Sequence, residues 1–300
     1  LRLHLIDGTF ELYRAHYSPR PGKEASVGPN GAVWDVKASV GVVSSMLALL
    51  GDKAEAVTHM AIAFDNPIRS FRNDLFADYK SDEGVPPELR QQFDLVEEGC
   101  RALGLPVWRM EAFEADDGLA TGARRFKGAV DQVRIMSPDK DLGACLDGER
   151  VVIVDRIRAR ETTEATFRAA RGFGPASMPD YLALVGDSAD GIPGLRGFGE
   201  KSTGSLLGMY PHLEDIPASA QDWGVKLRGA DKLAATLQTE LESAKLYRTL
   251  ATLRFDATLP HDNVNDLAFH GPGPTFAAWS QKVGAPNLLR AAEKLAARQA

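Results

Sequence analysis

MAIAF at residues 60–64, followed by Asp65, reads as a buried β-strand that ends on a carboxylate. LHLI (3–6) ends the same way on Asp7, and between the two runs residues 35–50 carry apolar side chains at helical spacing, with Gly51 as a stop. Further along, 87–103 reads as a helix opened by Pro87 and closed by Gly104, PVWRM (106–110) as a strand, and 116–127 as a helix. VRIMS (133–137) and VVIV (151–154) are two more strands. Strands alternating with helices predict an α/β fold with a mostly parallel sheet flanked by helices. Such sheets bind ligands beyond the carboxyl ends of their strands. Asp7, Asp65 and the pair Asp139/Asp141 fall at those ends.

From about residue 175 the pattern turns to helices only, at 179–186, 200–209 and a longer run over 230–253. HGPGPT (270–275) interrupts the chain before a final helix at 285–298. The chain therefore divides into 1–174 and 175–300.

The acidic residues at the strand ends belong to a larger set. Asp7, Asp65, Glu114, Asp116, Asp117, Asp139, Asp141, Asp187 and Asp190 fall in five short clusters. Two carboxylates about 4 Å apart repel by roughly 4 kcal/mol at an effective dielectric near 20. A fold that gathers these residues needs cations, and oxygen ligands without Cys or His point to Mg²⁺ or Mn²⁺ rather than zinc. Singly, each has a blander reading: Asp116 or Asp117 as a helix N-cap, Asp187 and Asp190 as a solvated face. Only the joint placement favours a metal centre.

The bulk properties are ordinary. Three hundred residues with 44% apolar content can bury a substantial core. Cys100 and Cys145 sit in apolar surroundings and suit a reducing cytoplasm. No apolar run approaches a membrane span, LRLHLID opens a strand rather than a signal peptide, and the first residue is not Met, so the numbering begins inside or just after the true start. A net charge of −6 does not advertise nucleic-acid binding, although bound cations and local basic patches would change the balance. Trp34, Trp108, Trp223 and Trp279 read as packing or surface residues, and the histidines show no ligand spacing.

GIPGLRGFGEKST (191–203) joins two short helices through a glycine-rich turn. Backbone N–H groups around Gly197, Phe198 and Gly199, at the positive end of the second helix, can hold a phosphate without reading a base, with Arg196 and Lys201 adding charge. A plain helix corner is the alternative.

Taken together, these strings resemble the 5′-nuclease, or flap-endonuclease-like, superfamily in its bacterial 5′-3′ exonuclease form, best known from the N-terminal exonuclease region of DNA polymerase I. LIDGTFELYRAHY (5–17), AFDNPIRSFRNDLFADYK (63–80), FEADDGLA (113–120), SPDKDLGACL (137–146) and LVGDSADGIPGLRGFGEKS (184–202) are similar to the family's successive motifs. The resemblance implies two-metal hydrolysis of phosphodiesters near DNA 5′ ends or flaps, in replication and repair. It implies that Asp7, Asp65, Glu114, Asp116 and Asp139 surround one Mg²⁺, and Asp117, Asp141, Asp187 and Asp190 a second. It further implies catalytic roles for Lys80, Arg72, Asp139 and Asp187, and DNA contacts from Arg14, Tyr79, Arg196, Gly197, Phe198, Gly199 and Lys201. The first segment would be the catalytic domain and the second a helical DNA-binding region with a helix-hairpin-helix holding a K⁺ ion. A monomeric cytoplasmic enzyme is expected. The resemblance ends with the last helix, so no attached polymerase is expected.

Other readings compete. DGTF (7–10) and GDSAD (186–190) also resemble parts of haloacid-dehalogenase-like phosphatases, but the position needed for their nucleophilic Asp holds Leu5. A weakly catalytic or non-catalytic DNA-binding member is the other alternative. Relatives carry a basic residue where this chain has Glu83, and SDN where it has Ala189, Asp190 and Gly191. Residues 66–88 correspond to a mobile arch in relatives. With little apolar material, this stretch is expected to be poorly ordered without DNA.

Overall fold

The computed structural model describes residues 1–299. The chain opens with β1 (Arg2–Asp7) and α1 (Gly8–His16), then a small antiparallel hairpin of β2 (Glu24–Ser26) and β3 (Val33–Asp35). Next come α2 (Lys37–Leu50), β4 (His59–Asp65), the single turns α3 (Arg72–Leu75) and α4 (Pro87–Arg90), and α5 (Gln92–Leu103). The pattern continues through β5 (Val107–Met110), α6 (Ala115–Phe126), β6 (Gln132–Met136), β7 (Val151–Asp155), β8 (Arg160–Thr162) and α7 (Glu164–Arg171). The six-stranded sheet runs β5-β4-β1-β6-β7-β8, parallel except for its last strand.

The central strands are apolar throughout because both sheet faces are covered. Leu3, Leu5, Ala61, Ala63, Val133 and Ile135 enter the core on one face, with α6. Ile6, Met60, Ile62, Phe64 and Met136 enter the other, with α2 and α5. Helix α6 sits unusually close to the sheet: a Cβ on Gly118 would lie 2.6 Å from the Met110 sulfur, and one on Gly122 2.5 Å from the Trp108 ring. This contact holds the acidic first turn of α6 against the strand ends. From β1 the chain steps out to β4 and β5, then returns to β6 on the other side of β1. The strand order therefore reverses at β1, and a crevice opens beyond its carboxyl end.

The helical part comprises α8 (Met178–Val185), α9 (Glu200–Met209), α10 (Ala230–Thr239), α11 (Leu241–Ala251), α12 (Phe276–Lys282) and α13 (Asn287–Gln299). The single helix expected over 230–253 breaks at Glu240. The break has a packing reason: Leu233 and Leu237 of α10 fill a core with α8 and α9, whereas Leu250 and Ala251 of α11 join the sheet's main core. The helix expected over 87–103 likewise breaks at Gln91, between α4 and α5. Phe276, Trp279 and Leu288 pack with α2 and α5. A cut at 174/175 therefore divides the chain in sequence, while the segment from Leu253 to Leu295 returns to the α/β layer. Among the described residues, no helix is long and apolar enough to cross a membrane.

Candidate active site

The acidic residues gather at the carboxyl edge of the sheet. Asp7 and Asp65 close β1 and β4, Glu114 caps α6, and Asp116 and Asp117 lie in its first turn. Asp139 and Asp141 follow β6, while Asp187 and Asp190 follow α8. Local hydrogen bonds fix several of them. Asp7 accepts from the Phe10 N–H and the Ser137 hydroxyl, both at 2.8 Å, so it caps α1 while facing the crevice. Asp65 accepts from the Ala115 N–H at 2.7 Å, tying β4 to the start of α6. Asp139 accepts from the Asp141 N–H at 2.8 Å.

Carboxylates outnumber cations here, and the titration behaviour reflects it. Burial, followed by repulsion from Asp65 and Asp139, raises the Asp7 carboxyl to about 7. Burial and the neighbouring Asp139 push Asp116 and Asp141 well above the usual carboxylate range. Asp65 and Asp190 are raised by burial despite the Lys80 ammonium. Glu114 runs the other way: burial opposes ionisation, but Lys80 and Arg72 outweigh it and hold the carboxyl low. The Lys80 ammonium bridges Glu114 at 3.0 Å and Asp190 at 2.9 Å.

One subset has metal-binding geometry among the described residues. Oxygens of Asp141, Asp187 and Asp190 lie within 4.8 Å of one another, and the buried Oδ1 of Asp141 has no hydrogen-bond partner. An all-carboxylate donor set of this kind suits a hard divalent cation.

Several expected site residues have other surroundings. Asp117 is fully buried and is separated from Glu114 by the Arg72 guanidinium, which lies 3.4 Å from the Glu114 carboxylate. The Arg72 guanidinium grips both its oxygens, at 2.7 and 2.8 Å, and also donates to the carbonyls of Leu250 and Thr252. Arg72 and Asp117 thus bolt the arch segment, α6 and the end of α11 together. Tyr79 is buried, with its hydroxyl donating to Glu114 at 3.2 Å, so its ring is not free to stack on a base. Phe198 is buried in the helical core, leaving only its backbone for contacts. Arg14 pairs with Glu11 at the rim. In the turn between α8 and α9, Arg196, Gly197, Gly199 and Lys201 are exposed as expected. The Phe198 and Gly199 N–H groups, however, donate to the Leu195 carbonyl and the Ser202 hydroxyl. Among the described residues, the N–H groups of Arg196, Gly197, Glu200, Lys201 and Ser202 have no acceptor.

In the arch segment polar anchors stand in for the missing apolar core. Asn73 donates to the Lys80 carbonyl at 2.8 Å, and the Lys80 N–H donates to the Asp190 carbonyl at 3.1 Å. Asp82 pairs with Arg90, while Glu83 is exposed. Gly191 explains one sequence departure: it has φ +74°, and a Cβ there would lie 2.2 Å from the Asp78 carbonyl oxygen. Leu5 is wholly buried in β1, which removes the phosphatase reading. Ser137, Ser70 and Lys140 were not singled out from sequence. Ser70 donates to Glu114 at 2.7 Å, and Lys140 lies 2.6 Å from Asp187. For Ser137 and Lys140 the available signal was their place inside SPDKDL, beside the aspartates.

Comparison with known proteins agrees with this geometry. Residues 2–172 match the family model described as 5′-3′ exonuclease, N-terminal resolvase-like domain, and 173–274 match 5′-3′ exonuclease, C-terminal SAM fold. The chain is similar to DNA polymerase I of Pseudomonas aeruginosa, 34% identical over 86% of this chain but only 28% of that protein. It is also similar to a 5′-3′ exonuclease of Aquifex aeolicus, 29% identical over 83% of this chain and 82% of that one. The chain thus spans under a third of the polymerase relatives it matches. Among solved structures it shares its fold with zinc-bound T5 5′-exonuclease, at TM-score 0.64 and 18% identity over 98% of each chain. The catalytic core of Rad2 in complex with DNA substrate gives TM-score 0.62 at 13% identity, over 98% of this chain and 90% of that one. With both parts of its length matched, this chain belongs to the 5′-3′ exonuclease family.

Proposed function

We propose that the chain hydrolyses DNA phosphodiesters near 5′ ends or flaps, as a 5′-3′ exonuclease and flap endonuclease dependent on two Mg²⁺ or Mn²⁺ ions. The observation that carries this reading is the all-carboxylate cluster at the sheet's carboxyl edge, with the bare buried oxygen of Asp141 inside it. Asp141, Asp187 and Asp190 would hold one ion, and Asp7, Asp65, Glu114, Asp116 and Asp139 would surround the other, some through water. Bound there, divalent ions would neutralise the cluster and supply a nucleophilic hydroxide near neutral pH. Lys80, bridging the two carboxylate groups, would turn its charge to the reacting phosphate. The exposed N–H groups between α8 and α9, with Arg196 and Lys201, would grip a duplex backbone without reading sequence. The K⁺ implied at this turn would rest on its carbonyl oxygens.

A 5′-labelled flap duplex incubated with Mg²⁺, with and without excess chelator, tests the reading. Cleavage is expected only without chelator, and Asp139→Ala and Asp187→Ala are each expected to lower turnover by orders of magnitude with the circular dichroism spectrum unchanged. Undiminished cleavage in chelator refutes it.

A further inference from the structure

Lys140 stands between two proposed metal ligands in sequence and reaches a third in space. Its ammonium lies 2.6 Å from Asp187 Oδ2. Of the three carboxylates grouped within 4.8 Å, Asp187 therefore carries a tethered cation from Lys140, and Asp190 carries one from Lys80 at 2.9 Å. Asp141 alone keeps a bare buried oxygen. A divalent ion brought to this group meets positive charge already held there by the chain itself.

We propose that Lys140 is a positioning residue that acts as a built-in counter-cation of the Asp141/Asp187/Asp190 site, holding Asp187 in place and weakening that site for divalent ions until a substrate phosphate draws the ammonium away. The inference rests on the metal-dependent reading above. Three features support it. The Lys140 side chain is 42% exposed and hangs from the loop after β6, so it can swing from Asp187 to an incoming anion at small cost. Two ammoniums cannot balance three carboxylates, and Lys80 is shared with Glu114, so the group stays under-neutralised and keeps an appetite for a divalent ion. Asp187 is also held by its own loop, accepting from the Ala189 N–H at 2.9 Å and paired through its backbone with Ile192, so the carboxylate keeps its place when the lysine leaves. Metal and DNA would then load this site together, since whatever removes the lysine for one favours the other by the same factor.

Titrating the full chain with Mn²⁺ alone, by calorimetry and by the Mn²⁺ electron paramagnetic resonance signal, tests this in the wild type, Lys140→Gln and Lys140→Arg. In Lys140→Gln the weaker class of Mn²⁺ is expected to tighten by on the order of tenfold. The melting temperature of this variant is expected to fall without Mn²⁺ and to recover with it. Lys140→Arg keeps the charge and is expected to match the wild type. A uncleavable flap duplex is expected to tighten Mn²⁺ in the wild type more than in Lys140→Gln. Unchanged or weaker Mn²⁺ binding in Lys140→Gln overturns the inference, because the lysine then only braces the loop. Absence of any Mn²⁺ binding in the wild type overturns the metal-dependent reading as well.

Discussion

Replacing Arg72 with Met is expected to cost stability rather than chemistry. Arg72 and Asp117 are 2% and 0% exposed, so solvent screens neither charge. Met keeps much of the stem but removes every donor. Asp117 then retains only the backbone N–H groups of Glu114 at 3.0 Å and Arg254 at 2.8 Å. The carbonyls of Leu250 and Thr252 lose donors at 2.7 and 2.9 Å. Removing one partner of a buried pair leaves an uncompensated charge and costs about 3–5 kcal/mol. For a chain of this size that corresponds to a fall in melting temperature of roughly 5–15 °C. Asp117→Asn is expected to destabilise for the same reason, whereas the double change Arg72→Met with Asp117→Leu removes both charges and is expected to recover most of the loss. Urea unfolding followed by circular dichroism measures all four proteins. At a temperature where Arg72→Met is folded, flap cleavage is expected to stay within about tenfold of wild type, far from the loss that follows removal of a group contacting the reacting phosphate. An unchanged urea midpoint for Arg72→Met, or a double variant as unstable as the single one, would refute the bolt between the arch, α6 and α11.

Other perturbations probe the remaining parts. Gly197→Val and Gly199→Val are expected to weaken binding to a duplex arm about equally for all sequences and to flatten its salt dependence; unchanged affinity and slope would make the turn a simple helix corner. Glu83→Arg is expected to tighten binding to a single-stranded 5′ flap at low salt, while Lys80→Ala slows single-turnover cleavage more than it weakens binding. No gain in flap affinity from Glu83→Arg would mean that this exposed carboxylate does not face the strand. The histidine at position 4 gives a pH test away from the site: burial lowers it from 6.5 to about 4, outweighing its hydrogen bond to Glu55. The unfolded chain takes up that proton first, so this contribution to stability is full above pH 6.5 and lost as pH falls towards 4. His4→Phe is expected to give a flatter urea-midpoint profile across that range, and an identical profile would show that His4 does not titrate as described.

The parallel sheet, the carboxylates at its carboxyl edge and the turn between α8 and α9 can all be read along the chain. These were legible because they depend on local patterns: an apolar run ending on Asp7 or Asp65 must leave the sheet at its edge, and Gly-rich connections between helices bend in few ways. Where each side chain goes depends instead on long-range packing. Asp116 and Asp117 are adjacent in one helical turn, yet one faces the cluster while the other meets Arg72 and the 250–254 segment, which arrives from more than a hundred residues away. Tyr79, to which the resemblance gives a DNA contact, packs into the sheet's core, and the Phe198 ring packs into the helical core, both among residues from distant segments that no local pattern announces. Asn73, Lys80 and Gly191 tie the arch to its neighbours through backbone and polar anchors, which hydrophobic periodicity does not register. Lys140 shows the same limit: its place between Asp139 and Asp141 is written in the chain, but its bond to Asp187 exists only because the loop after α8 folds back over the strand end. Periodicity fixes which face of an element is apolar, whereas the pairing of buried charges depends on which distant segment closes over them.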